Sequence, residues 1–151
     1  MFSVIIPTHN RLKSLQTLLN SLEAQTYSHK QFEVIVVYLE GDPAESLIMS
    51  STYSFSLIPL KILDPQFKGK SASLKRNKGA SKALYPWLAF IDDDCVAHPQ
   101  WLENAAKKID DSTHAIEGHT QIPKPQKETF TYKGLLALSR FGGYQTCNMF
   151  Y

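Results

Sequence analysis

The stretch Leu88-Ala89-Phe90-Ile91-Asp92-Asp93-Asp94-Cys95 constrains this chain more than any other. Four apolar residues run directly into three carboxylates. A short continuous apolar run predicts a strand buried on both faces, most often in a parallel sheet. Three adjacent acids cannot continue it, because like charges repel and an unpartnered carboxylate is costly to desolvate. The strand therefore ends at Ile91 and delivers the acids to its carboxyl end. Two readings stand there. The acids form a solvated turn with an Asp cap before the next helix, or they hold a divalent cation where open α/β sheets bind ligands. Hard oxygen ligands suit Mg²⁺ or Mn²⁺, and such ions often bridge to substrate phosphates rather than sit in a closed protein cage.

The rest of the chain alternates strand and helix around this element. Ser3-Val4-Ile5-Ile6-Pro7 predicts a first buried strand stopped by proline, and Thr8-His9-Asn10 follows as a turn or helix cap. Leu12, Leu15, Leu18, Leu19 and Leu22 recur at helical spacing, a stripe that packs on a sheet and fades near Gln25-Thr26-Tyr27. Phe32–Val37 is a β-branched second strand, broken by Glu40-Gly41-Asp42-Pro43. A serine-rich helix is expected from Ala44 to about Tyr53, a third strand over Leu60–Leu63, and a helix from Lys70 to Leu84 closed by Tyr85-Pro86. After the acids, a helix opens at His98-Pro99-Gln100-Trp101-Leu102 with proline in its first turn, placing Trp101, Ala105 and Ile109 on one face. Ala115–Gly118 and His119–Ile122 read as strand and Pro123-Lys124-Pro125 as a loop; beyond Thr129 the pattern is mixed, with Gly134–Leu138 helical and a hinge at Gly142-Gly143. This order predicts an α/β fold with a doubly wound, mostly parallel sheet.

Bulk properties exclude several classes. At 151 residues, 43% hydrophobic and 20% charged, the chain is one globular domain with a sizeable core. A net charge of +2 does not argue for nucleic acid or an anionic membrane surface. Lys68, Lys70, Lys75, Lys78 and Lys82 with Arg76 form one local basic cluster, read as a solvated helix face in preference to a diphosphate attractor. The two cysteines, Cys95 and Cys147, are no disulfide framework, which favours a reducing compartment. With no membrane-length apolar run and no signal peptide, a cytoplasmic protein is expected, with docking at the membrane's cytoplasmic face left open.

Four segments then fall into a known order. They are Ser3-Val4-Ile5-Ile6-Pro7-Thr8-His9-Asn10-Arg11, Arg76-Asn77-Lys78-Gly79-Ala80, Phe90-Ile91-Asp92-Asp93-Asp94 and Thr146-Cys147-Asn148-Met149-Phe150-Tyr151. Together they resemble the inverting family 2 glycosyltransferases: the opening strand and nucleotide-binding turn, the Arg-Asn-x-Gly helix, the Asp-x-Asp metal motif, and the segment shortly before the catalytic acid. The resemblance implies a GT-A fold, a Rossmann-like sheet flanked by helices on both faces. It also implies a nucleotide-diphospho-sugar donor (UDP-sugar favoured), Mn²⁺ or Mg²⁺, and inverting transfer of a hexosyl group to a hydroxyl of a glycan, lipid-linked or small-molecule acceptor, as in polysaccharide biosynthesis. Asp94 would ligate the metal directly, and Asp92 would hold the ribose or the metal through water. Pro7, Thr8, Asn10 and Arg11 would line the base pocket, with Arg76 beside the nucleotide or bracing the acids; Asp93 is counted with the donor-facing residues.

Plainer roles stand beside these. Arg76 serves equally as an ion-pair partner of the acids. Thr8 and Asn10 serve as helix caps. Asp93 points away as a solvated neighbour, His9 and His119 make local hydrogen bonds, Cys95 is a small buried hydrophobe, and Trp87 and Trp101 belong to the core. Two departures matter. Where the family's second strand ends in acids that contact the base, this chain reads Tyr38-Leu39-Glu40-Gly41. Glu40 or Asp42 would have to substitute, or Tyr38 would stack on the base. The family's general base follows the Asn-Met-x-Tyr region, so residues 1–151 are expected to be a single donor-binding domain ending before that base. Glu117 is the one late acid beside a glycine at a strand end, in reach of an acceptor but not assigned as base. The competing readings are a non-catalytic nucleotide-sugar-binding module and a sugar nucleotidyltransferase. Turnover separates the first; the second is disfavoured because Pro7–Arg11 lacks the glycine-rich phosphate loop of those enzymes.

Overall fold

A computed structural model describes residues 1–63, 71–121 and 147–151. Six strands form one sheet in the order β3-β2-β1-β4-β6-β5. β1 (Phe2–Pro7), β2 (Phe32–Leu39), β3 (Ser56–Ile62) and β4 (Trp87–Ile91) run parallel, and β6 (Asn148–Phe150) and β5 (Ile116–Glu117) add antiparallel. β1 is central: Ile5 stands in register with Ile35 on one side and Phe90 on the other. Its residues Phe2–Pro7 are all buried, the continuous apolar pattern of a strand covered on both faces.

Helices supply that cover. α1 (Leu12–Glu23), α2 (Ala44–Ser50) and α4 (Trp101–Ala106) pack on the face carrying Val4, Ile6, Val34 and Val36. Leu15, Leu18, Leu19 and Leu22 of α1 are fully buried there, and each contributes about 1.5–3 kcal/mol relative to exposure. α3 (Ala72–Ala80) lies on the opposite face, where Ile5, Ile35, Val37 and Ile62 form a second, smaller core. Gly79 permits this approach, since a Cβ there would meet Ile5 Cγ2 at 2.5 Å. The chain returning from α3 to β4 is anchored by a buried pair: Ser3 Oγ donates to Glu33 (2.6 Å) and accepts the Tyr85 N–H, and Glu33 also accepts the Leu84 N–H.

Several boundaries differ from the sequence expectation. β3 starts at Ser56, not Leu60, because it pairs along β2 from Glu33 to Leu39. It is an edge strand, which is why Pro59 and an alternating exposed face are tolerated within it. α2 ends at Ser50 and α3 at Ala80, well short of Tyr53 and Leu84. Pro99 precedes α4 instead of occupying its first turn. Only Ile116 and Glu117 of the expected later strands pair, and 119–121 do not. The expectations for Lys68, Lys70, Ile122, the Pro123–Pro125 loop, Gly134–Leu138 and Gly142-Gly143 lie outside the described residues. Among the described residues, no helix is long and apolar enough to cross a membrane.

Candidate functional site

The strand order reverses between β1 and β4. Connections from β1 run outward through β2 to β3, and the next strand returns to the other side of β1. The loops leaving the carboxyl ends of β1 and β4 both lead to helices on the same face and meet at this point, the usual ligand position in an open α/β sheet, where they line a candidate crevice. Thr8–Arg11 forms one wall and Asp92–Asp94 the other.

The two walls are tied together. Thr8 Oγ1 donates to Asp93 Oδ2 (2.8 Å), and Arg11 Nη1 donates to Asp93 Oδ1 (3.2 Å) and Asp94 Oδ2 (2.6 Å). Both carboxylates, Asp93 first, raise the Arg11 pKa above its ordinary value. The backbone is shaped to suit. Asn10 adopts φ of 55°, a left-handed conformation that asparagine tolerates better than most residues. Its N–H is held by Asp42 Oδ2 (2.9 Å), while Asp42 Oδ1 accepts the Ala44 N–H (3.0 Å). Pro7 is buried at the end of β1, and the Thr8 N–H bonds to the Val37 carbonyl (3.0 Å).

The acid triplet divides in an unexpected way. Asp93, read from sequence as a solvated neighbour, is the buried member at 4% exposure, because Thr8 and Arg11 supply its partners. Asp94 is the exposed one, its side chain 55% accessible. Asp92 lies between them in exposure and pairs with Arg76 Nη2 from α3. That ion pair is the plainer of the two roles weighed for Arg76. The Arg76 Nε is buried and makes no hydrogen bond among the described residues.

Other expectations are corrected. Thr8 and Asn10 do not cap α1, whose N-cap is Arg11 with no side-chain cap bond. Tyr38 is 2% exposed within the main core, so its ring is not offered to a base in the crevice. Of the two substitute acids, Glu40 is exposed and Asp42 is buried against Asn10. Lys78 and Lys82 are solvated as expected, but Lys75 is 2% exposed and donates through Nζ to the Thr8 carbonyl. Trp87 and Trp101 are half-buried against the core. Cys95 packs half-buried against the core, in keeping with a small hydrophobe, and its thiol interacts with that of Cys147. That interaction and burial push the Cys95 thiol well above its ordinary value, and the same interaction pulls Cys147 down to about 7.

Sequence reading places Asn148 in the fourth family-like segment but gives it no role of its own. Its Oδ1 accepts the Trp101 Nε1–H (2.8 Å) and its Nδ2 donates to the His119 carbonyl (3.2 Å), which joins α4, the β5 end and β6 beside the acid turn. Gly118 makes room for it, as a Cβ there would sit 2.0 Å from Asn148 Oδ1.

The oxygen donors at the crevice suit a hard divalent ion, but only as a shared site. No group of three or more His, Cys, Asp or Glu converges among the described residues. Asp92 Oδ2 and Asp94 Oδ1 make no hydrogen bond among them either, so each acid has one oxygen to offer.

Comparison with known proteins places the chain in a family. The sequence model of glycosyl transferase family 2 matches residues 3–149. Glycosyltransferase AglE of Haloferax volcanii is 31% identical over 129 residues, which is 84% of this chain and 41% of that protein. Staphylococcus aureus TarS, solved in complex with UDP-GlcNAc, superposes with a TM-score of 0.60 at 30% identity over 70% of this chain and 30% of that one. The mannosyltransferase PcManGT of Pyrobaculum calidifontis, solved with GDP-Man and Mn²⁺, gives a TM-score of 0.72 at 17% identity over 99% of this chain and 44% of its own, a likeness of fold. The chain thus spans less than half the length of each of these three. Its mixed sheet with helices on both faces is that of the GT-A glycosyltransferases. With the family match running through both walls of the crevice, the chain belongs to glycosyl transferase family 2.

Proposed function

We propose that the crevice between β1 and β4 binds a nucleotide-diphospho-sugar, UDP-sugar favoured, and that the chain serves metal-assisted, inverting transfer of the sugar to a hydroxyl acceptor. The observation that carries this reading is the pair of walls at the switch point, cross-tied by Arg11 to Asp93 and Asp94. In such a transfer the leaving group is a nucleoside diphosphate, and its developing charge needs preorganised positive charge. Arg11 and Arg76 bring guanidinium groups to the two sides of the acid turn. Asp94, exposed and with one oxygen to offer, would hold Mn²⁺ or Mg²⁺ together with Asp92 and diphosphate oxygens. The ion, when bound, would supply Lewis-acid stabilisation of the leaving diphosphate.

The chain's own residues set the remainder. Thr8–Arg11 would receive the nucleoside, its backbone shaped by the Asn10 φ and the Asp42 clamp. Asp93 keeps the walls in register and is not offered to the metal. UDP over other nucleotides is supported by the solved UDP-GlcNAc complex of TarS, at 30% identity. No described residue is assigned as the general base.

A melting-temperature scan with uridine, guanosine, cytidine and thymidine diphosphates, each with Mn²⁺ and with chelator, tests the reading. A ligand that binds only the folded state raises stability by about 2.7 kcal/mol at about 100 times its dissociation constant. The expected result is a rise with UDP that requires Mn²⁺. A scan with no rise for any nucleotide rejects a donor site in this chain. Binding without hydrolysis or transfer would leave it a nucleotide-sugar-binding module.

A further inference from the structure

Lys75 is among the largest fully buried side chains, at 2% exposure. A fully buried lysine is uncommon, because the ammonium loses hydration that only paired charge and hydrogen bonds restore. It sits one helical turn before Gly79, the residue that lets α3 press on Ile5 and Val37, so its stem lies against the sheet and reaches the carboxyl end of β1. There Nζ donates to the Thr8 carbonyl. Burial pushes the ammonium pKa down, and the charges of Asp42 and Asp93 oppose that shift. Both acids are themselves buried, at 5% and 4%. Each also holds the same loop: Asp42 takes the Asn10 N–H, and Asp93 takes the Thr8 hydroxyl and the Arg11 guanidinium. Three elements, the β2–α2 turn, the β4 turn and α3, therefore converge on Thr8–Arg11.

We propose that Lys75 is a positioning residue for the donor site: its buried ammonium, bonded to the Thr8 carbonyl, holds the Thr8–Arg11 backbone in the conformation that receives the nucleotide. This rests on the donor-site reading above. An apolar filler of equal length would satisfy the α3–sheet packing alone, but it would leave the Thr8 carbonyl without its donor and take one positive charge away from Asp42 and Asp93. The assignment thus predicts an effect on the loop that a space-filling role does not.

The test is UDP titration in Mn²⁺ of the full chain and of Lys75→Met, Asp42→Asn and the double variant, with amide hydrogen exchange on the ligand-free proteins. Lys75→Met is expected to weaken UDP at least tenfold and to speed exchange at Asn10 while Val34 and Ile35 stay protected. Its penalty is expected to be smaller in the Asp42→Asn background, because one of the buried acids is then already neutral. Undiminished UDP affinity in Lys75→Met, or unchanged exchange at Asn10, overturns the assignment. If Lys75→Met alone does not fold, the double variant is read against Asp42→Asn. A threefold or greater further loss supports the assignment and equal affinity overturns it. Wild-type protein that binds no UDP rejects the donor-site reading itself, and exchange at Asn10 still decides whether Lys75 holds the loop.

Discussion

Adjacent acids at the crevice should separate stability from binding. Asp93→Ala removes a buried carboxylate that accepts the Thr8 hydroxyl at 2.8 Å and the Arg11 guanidinium at 3.2 Å. A hydrogen bond to a charged group is worth about 1.5–3 kcal/mol. The Arg11 side chain is 54% exposed, so its pair adds no more than about 0.5–1 kcal/mol. The Lys75 ammonium also loses one of the two acids beside it. The sum is a loss of about 2–4 kcal/mol, which in a chain of this size lowers the melting temperature by about 4–16 °C. Asp94→Ala removes a pair in which both side chains are about half exposed, 54% and 55%, and should cost about 0.5 kcal/mol or less. Its melting temperature should fall by about 1–2 °C, while Mn²⁺-dependent UDP binding disappears. Thermal melts by circular dichroism, with and without UDP and Mn²⁺, measure both quantities. Equal melting temperatures for the two variants, or a larger fall for Asp94→Ala, would refute the division of roles between them.

Other consequences follow from close contacts. Gly79→Ala places a Cβ 2.5 Å from Ile5 Cγ2 and 3.2 Å from Val37 Cγ2, and should cost about 1–3 kcal/mol in a denaturant melt as α3 is pushed off the sheet. Asn148→Ala leaves the half-buried Trp101 Nε1–H without its acceptor and should cost about 1–3 kcal/mol, with a change in tryptophan fluorescence. Glu103 is held below its ordinary pKa, first by the hydrogen bond from Lys107 and then by that from Thr26. Its stabilisation is therefore complete above the ordinary value of 4.5 and is lost as pH falls through the lower folded value. Melting temperatures of Glu103→Gln and wild type should converge on the acid side of that window and diverge above it.

Much of this architecture is legible in local pattern. Leu15, Leu18, Leu19 and Leu22 of α1 and the β-branched run of β2 are buried as their patterns predict, because a helical stripe and a continuous apolar run each mark the faces that must be covered, whereas Leu12, at the first position of α1, is exposed. The acid triplet is different. The pattern of β4 announces that acids leave a buried strand, but which of them turns inward depends on Thr8 and Arg11, more than eighty residues away. From sequence Lys75 reads as solvated, because lysines surround it. The available signal was its spacing of four from Gly79, since a lysine on the helix face that lies against the sheet is aimed into it. The edge position of β3 and the antiparallel pairing of β6 on β4 come from register between distant segments, which no local period encodes.

The central claim is that one crevice, between Thr8–Arg11 and Asp92–Asp94, takes both metal and nucleotide. Paramagnetic broadening of backbone amide signals by Mn²⁺ in the presence of UDP tests it most directly. The account predicts that signals of Asp92–Cys95 and Thr8–Arg11 broaden together, only when UDP is present, and that those of β3 at the far edge of the sheet persist. Broadening centred elsewhere on the molecule, or at the acid turn alone and regardless of UDP, would contradict it.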